Sequence, residues 1–313
     1  MNTGNSSNPT LQSWLMVCIL GVTWGSTFLV TELALEGISP FWLAAGRQVI
    51  GACVMGVVWM LLRSPVRLGN DQRPRWPYLM IAGVTSSALP FALLAWGQQY
   101  VTSGFAGVSM AAVALIVLPL AHFFVPGERA GPRRIIGFVI GFIGVCVLIG
   151  ARAFDSSGAA LEPYGRLACF GAATCYAVSS ILLRKCPPIH PIAMATLLIF
   201  VGAAVSIPVA WAFEGPPPLQ DNLPPNDALI ALVGLGLIPT AAANFLRVFV
   251  IRTAGPVFMS ITNYIVPIWS VLVGAWILAE PVPASLGLSA VLILFGVGLS
   301  QSRAFAALLR RNA

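Results

Sequence analysis

The sequence predicts an all-α polytopic membrane protein. Ten transmembrane helices are expected as two inverted five-helix repeats, with both termini cytoplasmic. Three observations predict this. Of the 313 residues, 58% are hydrophobic and 9% charged, whereas a soluble domain is about a quarter charged. Apolar stretches of about 20 residues recur along almost the whole chain, each long enough to cross a hydrocarbon core of about 30 Å as a helix. The second half also repeats features of the first at a fixed offset.

The leading segment MNTGNSSNPT holds no Lys or Arg and so lacks the basic region of a cleavable signal peptide. The first apolar stretch, about 12 to 35, is therefore expected as a retained helix. The others are expected at about 39 to 62, 77 to 98, 103 to 125, 132 to 151, 164 to 184, 190 to 212, 227 to 249, 256 to 279 and 284 to 302. Most connections are short. RSPVRLGNDQRPRWP and FEGPPPLQDNLPPND are longer, and their prolines and charges argue against helix.

Charge sets the direction. With the N-terminus inside, the inner side receives Arg63, Arg67, Arg73, Arg75, Arg129, Arg133, Arg134, Arg184, Lys185, Arg247, Arg252, Arg303, Arg310 and Arg311, while the outer side receives Arg152 and Arg166. Arg47 lies inside the second span. Glu36, Asp155, Glu162, Glu214, Asp221, Asp227 and Glu280 fall outside. A net charge of +7 thus reads as a topology signal, and no nucleic-acid partner is expected. Five of the six cysteines lie in apolar runs without Cys-x-x-Cys spacing, which points to packing rather than a disulfide or metal site.

Shifting the chain by about 152 residues aligns Glu128 with Glu280, Gly144-Val145 with Gly296-Val297, and Trp24 with Tyr176. Pro90 and Pro239 interrupt the third span of each half. Repeats with an odd number of spans run in opposite directions, an arrangement found in secondary transporters, with substrate near the midplane. The repeats are expected over 11–151 and 160–303, followed by a basic cytoplasmic tail over 304–313.

The segments TWGSTF at Thr23, VALIVLPLAHFFVPGERAGPRRIIGFVIGFIGVCVL from Val113 to Leu148, and YIVPIWSVLVGAWILAEPVPASLGLSAVLILFGVGL from Tyr264 to Leu299 resemble the EamA repeats of the drug/metabolite transporter superfamily. The resemblance runs from about Leu11 to Ser302. It implies ten helices, a multi-pass protein of the bacterial inner membrane, export of small metabolites and alternating access. Amino-acid exporters, including those for aromatic amino acids, are the suggested kin. One feature departs from the pattern: Pro267 precedes Glu280, whereas Leu115 stands at the matching place in the first half, with Pro119 a turn away.

No catalytic constellation is readable, with His122 and His190 the only histidines and no metal-ligand spacing. No enzyme activity, cofactor or metal is expected. The partners expected are a small-molecule substrate and the lipid bilayer, and the state a monomer or weak homodimer. An ionisable group in hydrocarbon costs at least about 2.5 kcal/mol and should face protein or water. Arg47 reads either as an anchor for a substrate carboxylate or as a helix-pairing residue bonded to carbonyls or to Glu32. Glu32 reads as a proton site or as an interfacial residue.

Trp24, Ser26, Thr27 and Tyr176 lie near mid-depth, where a ring's polar tip needs a partner. They read as cavity lining or as packed core. Trp96, Gln98, Gln99 and Tyr100 toward the outer end of the third span, with Asn244 and Arg247 in the eighth and Asn263 and Tyr264 in the ninth, read as vestibule lining or as interhelical bonding. Glu128 and Glu280 read as end-of-helix anchors or as caps for the following helix. Transport of a hydrophobic metabolite or drug, and a non-transporting scaffold or partner subunit, remain the alternatives to amino-acid export.

Overall fold

A computed structural model describes residues 10–62, 76–124, 131–150, 161–183, 185–186, 189–217, 223–254 and 256–310. Glu128, Asp155 and Asp221 lie outside the described residues, as do Arg63, Arg67, Arg73, Arg75, Arg129, Arg152, Arg184 and Arg311. Among the described residues every regular element is helical. Seven stretches are long and apolar enough to cross a membrane: Leu11–Leu35, Pro40–Leu61, Trp76–Gly97, Ser103–Phe124, Glu162–Leu183, Pro191–Glu214 and Asn226–Ile251.

Helix α1 (Leu11–Leu35) starts where the Thr10 hydroxyl accepts the Ser13 amide at 3.3 Å. Helix α2 (Pro40–Leu61) has proline in its first turn, where a missing N–H costs nothing. Its free amides at Phe41 and Trp42 are taken by the Glu214 carboxylate at 3.0 and 2.9 Å. That carboxylate comes from the last residue of a later helix, Pro191–Glu214, so a charge the sequence places in a loop binds the positive end of a distant helix.

The third apolar stretch is broken. Helix α3 (Trp76–Gly83) passes through a π-helical turn at Val84–Ala88 into α4 (Leu89–Gly97). Helices α5 (Ser103–Phe124), α6 (Pro132–Gly150), α7 (Glu162–Leu183) and α8 (Pro191–Glu214) follow. A second break divides α9 (Asn226–Leu235) from α10 (Ala243–Thr253) through a π-helical turn at Gly236–Ala242. Both breaks sit beside proline, at Pro90 and Pro239, because a residue without N–H cannot close the regular ladder.

The segment expected as one helix at 256 to 279 is two, α11 (Pro256–Met259) and α12 (Thr262–Ile277). Helix α13 (Ala284–Arg310) runs on past the expected end at 302. Leu115, which stands where Pro267 stands in α12, fills space beside Gly141: a Cβ there would meet its side chain at 2.6 Å.

The principal helix pairs are α6 with α13, α2 with α8, α5 with α12, α1 with α12, α5 with α7, and α4 with α7. Helix α1 also packs against α9 and α10, as α7 does against α3 and α4. Exchange each element of the first half for its counterpart in the second, and this pairing pattern returns to itself.

The α6–α13 pair is held at backbone distance. A Cβ added at Gly296 would stand 2.5 Å from the Gly137 carbonyl and 2.5 Å from the Gly141 amide, so only glycine lets these helices meet. Gly296→Val should destabilise the protein by about 1–3 kcal/mol through overpacking, read as a lower melting temperature in detergent. Gly287→Val, where an added carbon meets nothing within 4 Å, should melt like the parent; equal melting of both variants would contradict the close approach.

Candidate functional site

The two π-helical breaks are tied together by Arg47. Pro239 has no N–H, which leaves the Leu235 carbonyl without its regular partner. The Thr240 hydroxyl fills that gap, donating to the Leu235 carbonyl at 2.8 Å. The same oxygen accepts from Arg47 Nε at 3.3 Å and Nη2 at 3.2 Å. On its other side the Arg47 guanidinium lies over the Phe91 ring, 4.1 Å from its centroid, a cation–π contact strengthened by exclusion of water. Phe91 and Thr240 each follow the proline of their break, so one buried cation, 6% exposed, clamps corresponding positions of two broken helices.

Arg47 therefore does not pair with Glu32, as one sequence alternative had it. Thr240 and Phe91 take that place. The Nε and Nη2 groups are occupied, and Nη1 remains available to an incoming acceptor. Beside the guanidinium is a small cavity lined by Thr27, Thr31, Arg47, Phe91 and Gln98, with room for about one water molecule.

Tyr176, on α7, lies within reach of the charges of both Arg47 and Arg247. Arg247, on α10, is exposed. Trp24, half-buried, donates its indole N–H to the Pro239 carbonyl at 3.3 Å, so α1 is also fixed to the second break. Asn244 turns back onto its own helix, donating to the Thr240 carbonyl at 2.7 Å.

The other candidate residues divide by place. The Thr27 hydroxyl donates to the Thr23 carbonyl at 3.1 Å while lining the small cavity. Ser26 accepts from the Trp269 indole at 2.8 Å, a bond that pairs α1 with α12. Trp96 and Tyr100 meet edge-on, with ring centroids 5.1 Å apart, near the end of α4. Gln99 beside them is exposed, whereas Gln98 is buried and donates to the Phe28 carbonyl at 2.8 Å. Asn263 is exposed at the start of α12, and Tyr264 packs among core residues that include Val297 of α13.

Glu280 caps a helix, but not the one that follows it. Its Oε1 accepts from the Ser103 amide at 2.7 Å and its Oε2 from the Gly104 amide at 3.1 Å, which are free donors at the start of α5. Phe91 and Thr240 were not among the expected site residues, whereas Arg247 reads from the sequence, with Asn244, as vestibule lining or interhelical bonding. The signal that points to the first two is their place directly after a helix-breaking proline. Among the described residues no cluster of His, Cys, Asp or Glu could hold a metal ion.

Comparison with known proteins gives this arrangement its context. The profile of the EamA-like transporter family matches residues 12–150 and again 163–301. The Bacillus subtilis uncharacterized transporter YoaV is 22% identical over 90% of this chain and 95% of its own. An uncharacterized transporter of Archaeoglobus fulgidus is 24% identical over 92% of this chain and 98% of its own. The Escherichia coli uncharacterized inner membrane transporter YedA is 25% identical over 90% and 87%. One solved crystal structure, 21% identical, superposes with a TM-score of 0.65 over 95% of this chain and 98% of that one, a likeness of fold. With a family profile spanning both halves of a helical, membrane-crossing chain, the protein belongs to the EamA-like transporter family.

Proposed function

We propose that the protein exports a small, partly apolar metabolite bearing a carboxylate, an amino acid being the first choice, across the bacterial inner membrane. Ten spans in two inverted halves, with both termini cytoplasmic, would form the chamber and open it alternately to each side. The pairing pattern that survives exchange of the halves supports the inversion, and the excess of basic residues on one side supports the orientation. The name of the E. coli relative, an inner membrane transporter, supports the location.

The observation that carries the substrate class is the convergence of Arg47, Tyr176 and Arg247. Two guanidinium groups act on one phenol, and Arg47 keeps its Nη1 for an acceptor. A carboxylate meets planar, charge-assisted donors there. Trp24 and Phe91 supply apolar and aromatic surface on α1 and α4. Trp96, Gln99 and Tyr100 would line the outer vestibule, and Asn244, Asn263 and Tyr264 the inner one.

In liposomes, counterflow of a labelled amino acid should be competed by unlabelled amino acids but not by the amines that lack the carboxyl group. Equal competition by those amines would remove the carboxylate anchor. Competition by hydrophobic drugs, with none by amino acids, would favour the hydrophobic-metabolite reading instead.

A further inference from the structure

Among the described residues, two buried side-chain oxygens without hydrogen bonds, on Glu32 and Ser103, lie at the end of the bundle near the α1–α2 turn. Both oxygens of Glu280 accept amides at the start of α5, where the first turn leaves backbone donors free. The chain reaches this position through Ala279, which adopts φ 52°. That left-handed conformation costs about 1–2 kcal/mol for a residue with a side chain, so the turn presenting Glu280 is held against a local preference. Gly274 makes room for it, since a Cβ there would collide with the Glu280 carboxylate and stand 2.6 Å from Ser103 Oγ.

Two more oxygens converge on this carboxylate without partners of their own. Ser103 is fully buried, and its Oγ makes no hydrogen bond. Glu32, in the last turns of α1, faces Glu280 and the Ser103 backbone within hydrogen-bonding reach, and its Oε2 is shielded from solvent and makes no hydrogen bond. The charged side chains acting on Glu32 are Glu280 and, one turn on, Glu36. Both are acids. From the other elements against α1, α2 brings Arg47, engaged by Thr240, and α10 brings Arg247, toward the opposite end. Helix α9 carries Asp227 in its first turn, and α4 and α12 carry no charged residue. Two ionised carboxylates without a cation between them repel, and two carboxyl groups in one site hold a proton together.

We propose that Glu32, Glu280 and Ser103 form a proton-binding site, in which one proton held between the two carboxyl groups fastens the end of α1 to the corner made by α5 and α12. Glu280 is the anion, fixed by the α5 amides. Glu32 is the acid that donates to it, and the Ser103 hydroxyl is the adjoining donor. When pH on that side rises, the proton leaves to water, two negative charges face each other, and the contact between α1 and α5 loosens. The site stands on its own geometry and does not depend on the substrate reading.

The test is infrared difference spectroscopy of the purified protein in lipid nanodiscs, with deuterium exchange of the same samples. The carbonyl stretch of a protonated carboxyl should be present at neutral pH, absent from Glu32→Gln and retained in Glu36→Gln. Exchange at residues 28–36 and 103–106 should rise with pH in the parent and be independent of pH in Glu32→Gln, whose amide mimics the protonated acid. Should Glu32→Gln fail to purify folded, Glu32→Asp should shift the band rather than remove it. An identical band in parent and Glu32→Gln, or loss of the band on adding sodium ions at constant pH, would overturn the proposal. Absence of substrate flux would leave this band unchanged, so failure of the transport reading is seen separately.

Discussion

Tyr176→Ala is expected to abolish substrate flux, by about 100-fold or more, while the protein remains folded and inserted. The phenol is where the fields of Arg47 and Arg247 overlap, so its removal leaves two guanidinium groups facing enlarged water-filled space. A substrate carboxylate would then be held by cations without the ring that fixes its orientation. Tyr176 is half-exposed and lies outside the interhelical hydrogen bonds that join α1, α2 and α10, so the fold should tolerate the change. The check is counterflow per amount of protein together with the size-exclusion profile. Unchanged flux would remove Tyr176 from the site.

The second large effect is expected at Thr240. Its hydroxyl donates to the Leu235 carbonyl freed by Pro239 and accepts from Arg47 at two nitrogens. Thr240→Val keeps the shape but leaves a buried carbonyl and a buried cation unsatisfied. Loss of stability of about 2 kcal/mol or more is expected, accompanied by loss of flux as Arg47 is no longer held over Phe91. Thr240→Ser keeps the hydroxyl and should restore most of both properties. If Ser and Val variants melt and transport alike, the clamp between the two broken helices is not what the hydrogen bonds indicate.

Much of the architecture is legible in the sequence because the bilayer simplifies the rules. Apolar runs bounded by turns mark the helices, and proline marks where they break. Helix ends at Leu35, Leu61, Phe124 and Gly150 fall within a residue or so of those expected from hydropathy. That Pro90 and Pro239 produce π-helical turns was not legible, since proline only removes a donor and does not say how the neighbouring carbonyls are repaired. At Thr240 the hydroxyl that makes the repair also accepts from Arg47, which lies 193 residues away in sequence.

Polar residues were harder to assign because the same side chain serves a cavity or a helix interface. Gln98 and Gln99 are adjacent, yet about 100° of helical rotation buries one against the Phe28 carbonyl and exposes the other. Ser26 looks from the sequence like Thr27, but it meets the Trp269 indole of α12. Glu214 reads as a loop acid on the outer side, and Glu280 as an end-of-helix anchor or a cap for the following helix. Both instead cap helices far away in sequence, α2 and α5, and no local capping pattern announces that.

The central claim is that the protein moves a small carboxylate-bearing metabolite through a chamber between its halves. The most direct measurement is uptake and counterflow by purified protein in liposomes, using labelled amino acids with aromatic, aliphatic and polar side chains, with and without an imposed pH gradient. Saturable flux of a few of them, lost in Tyr176→Ala, is the predicted result. No protein-dependent flux of any amino acid, from a preparation that is folded and inserted, would contradict the amino-acid reading.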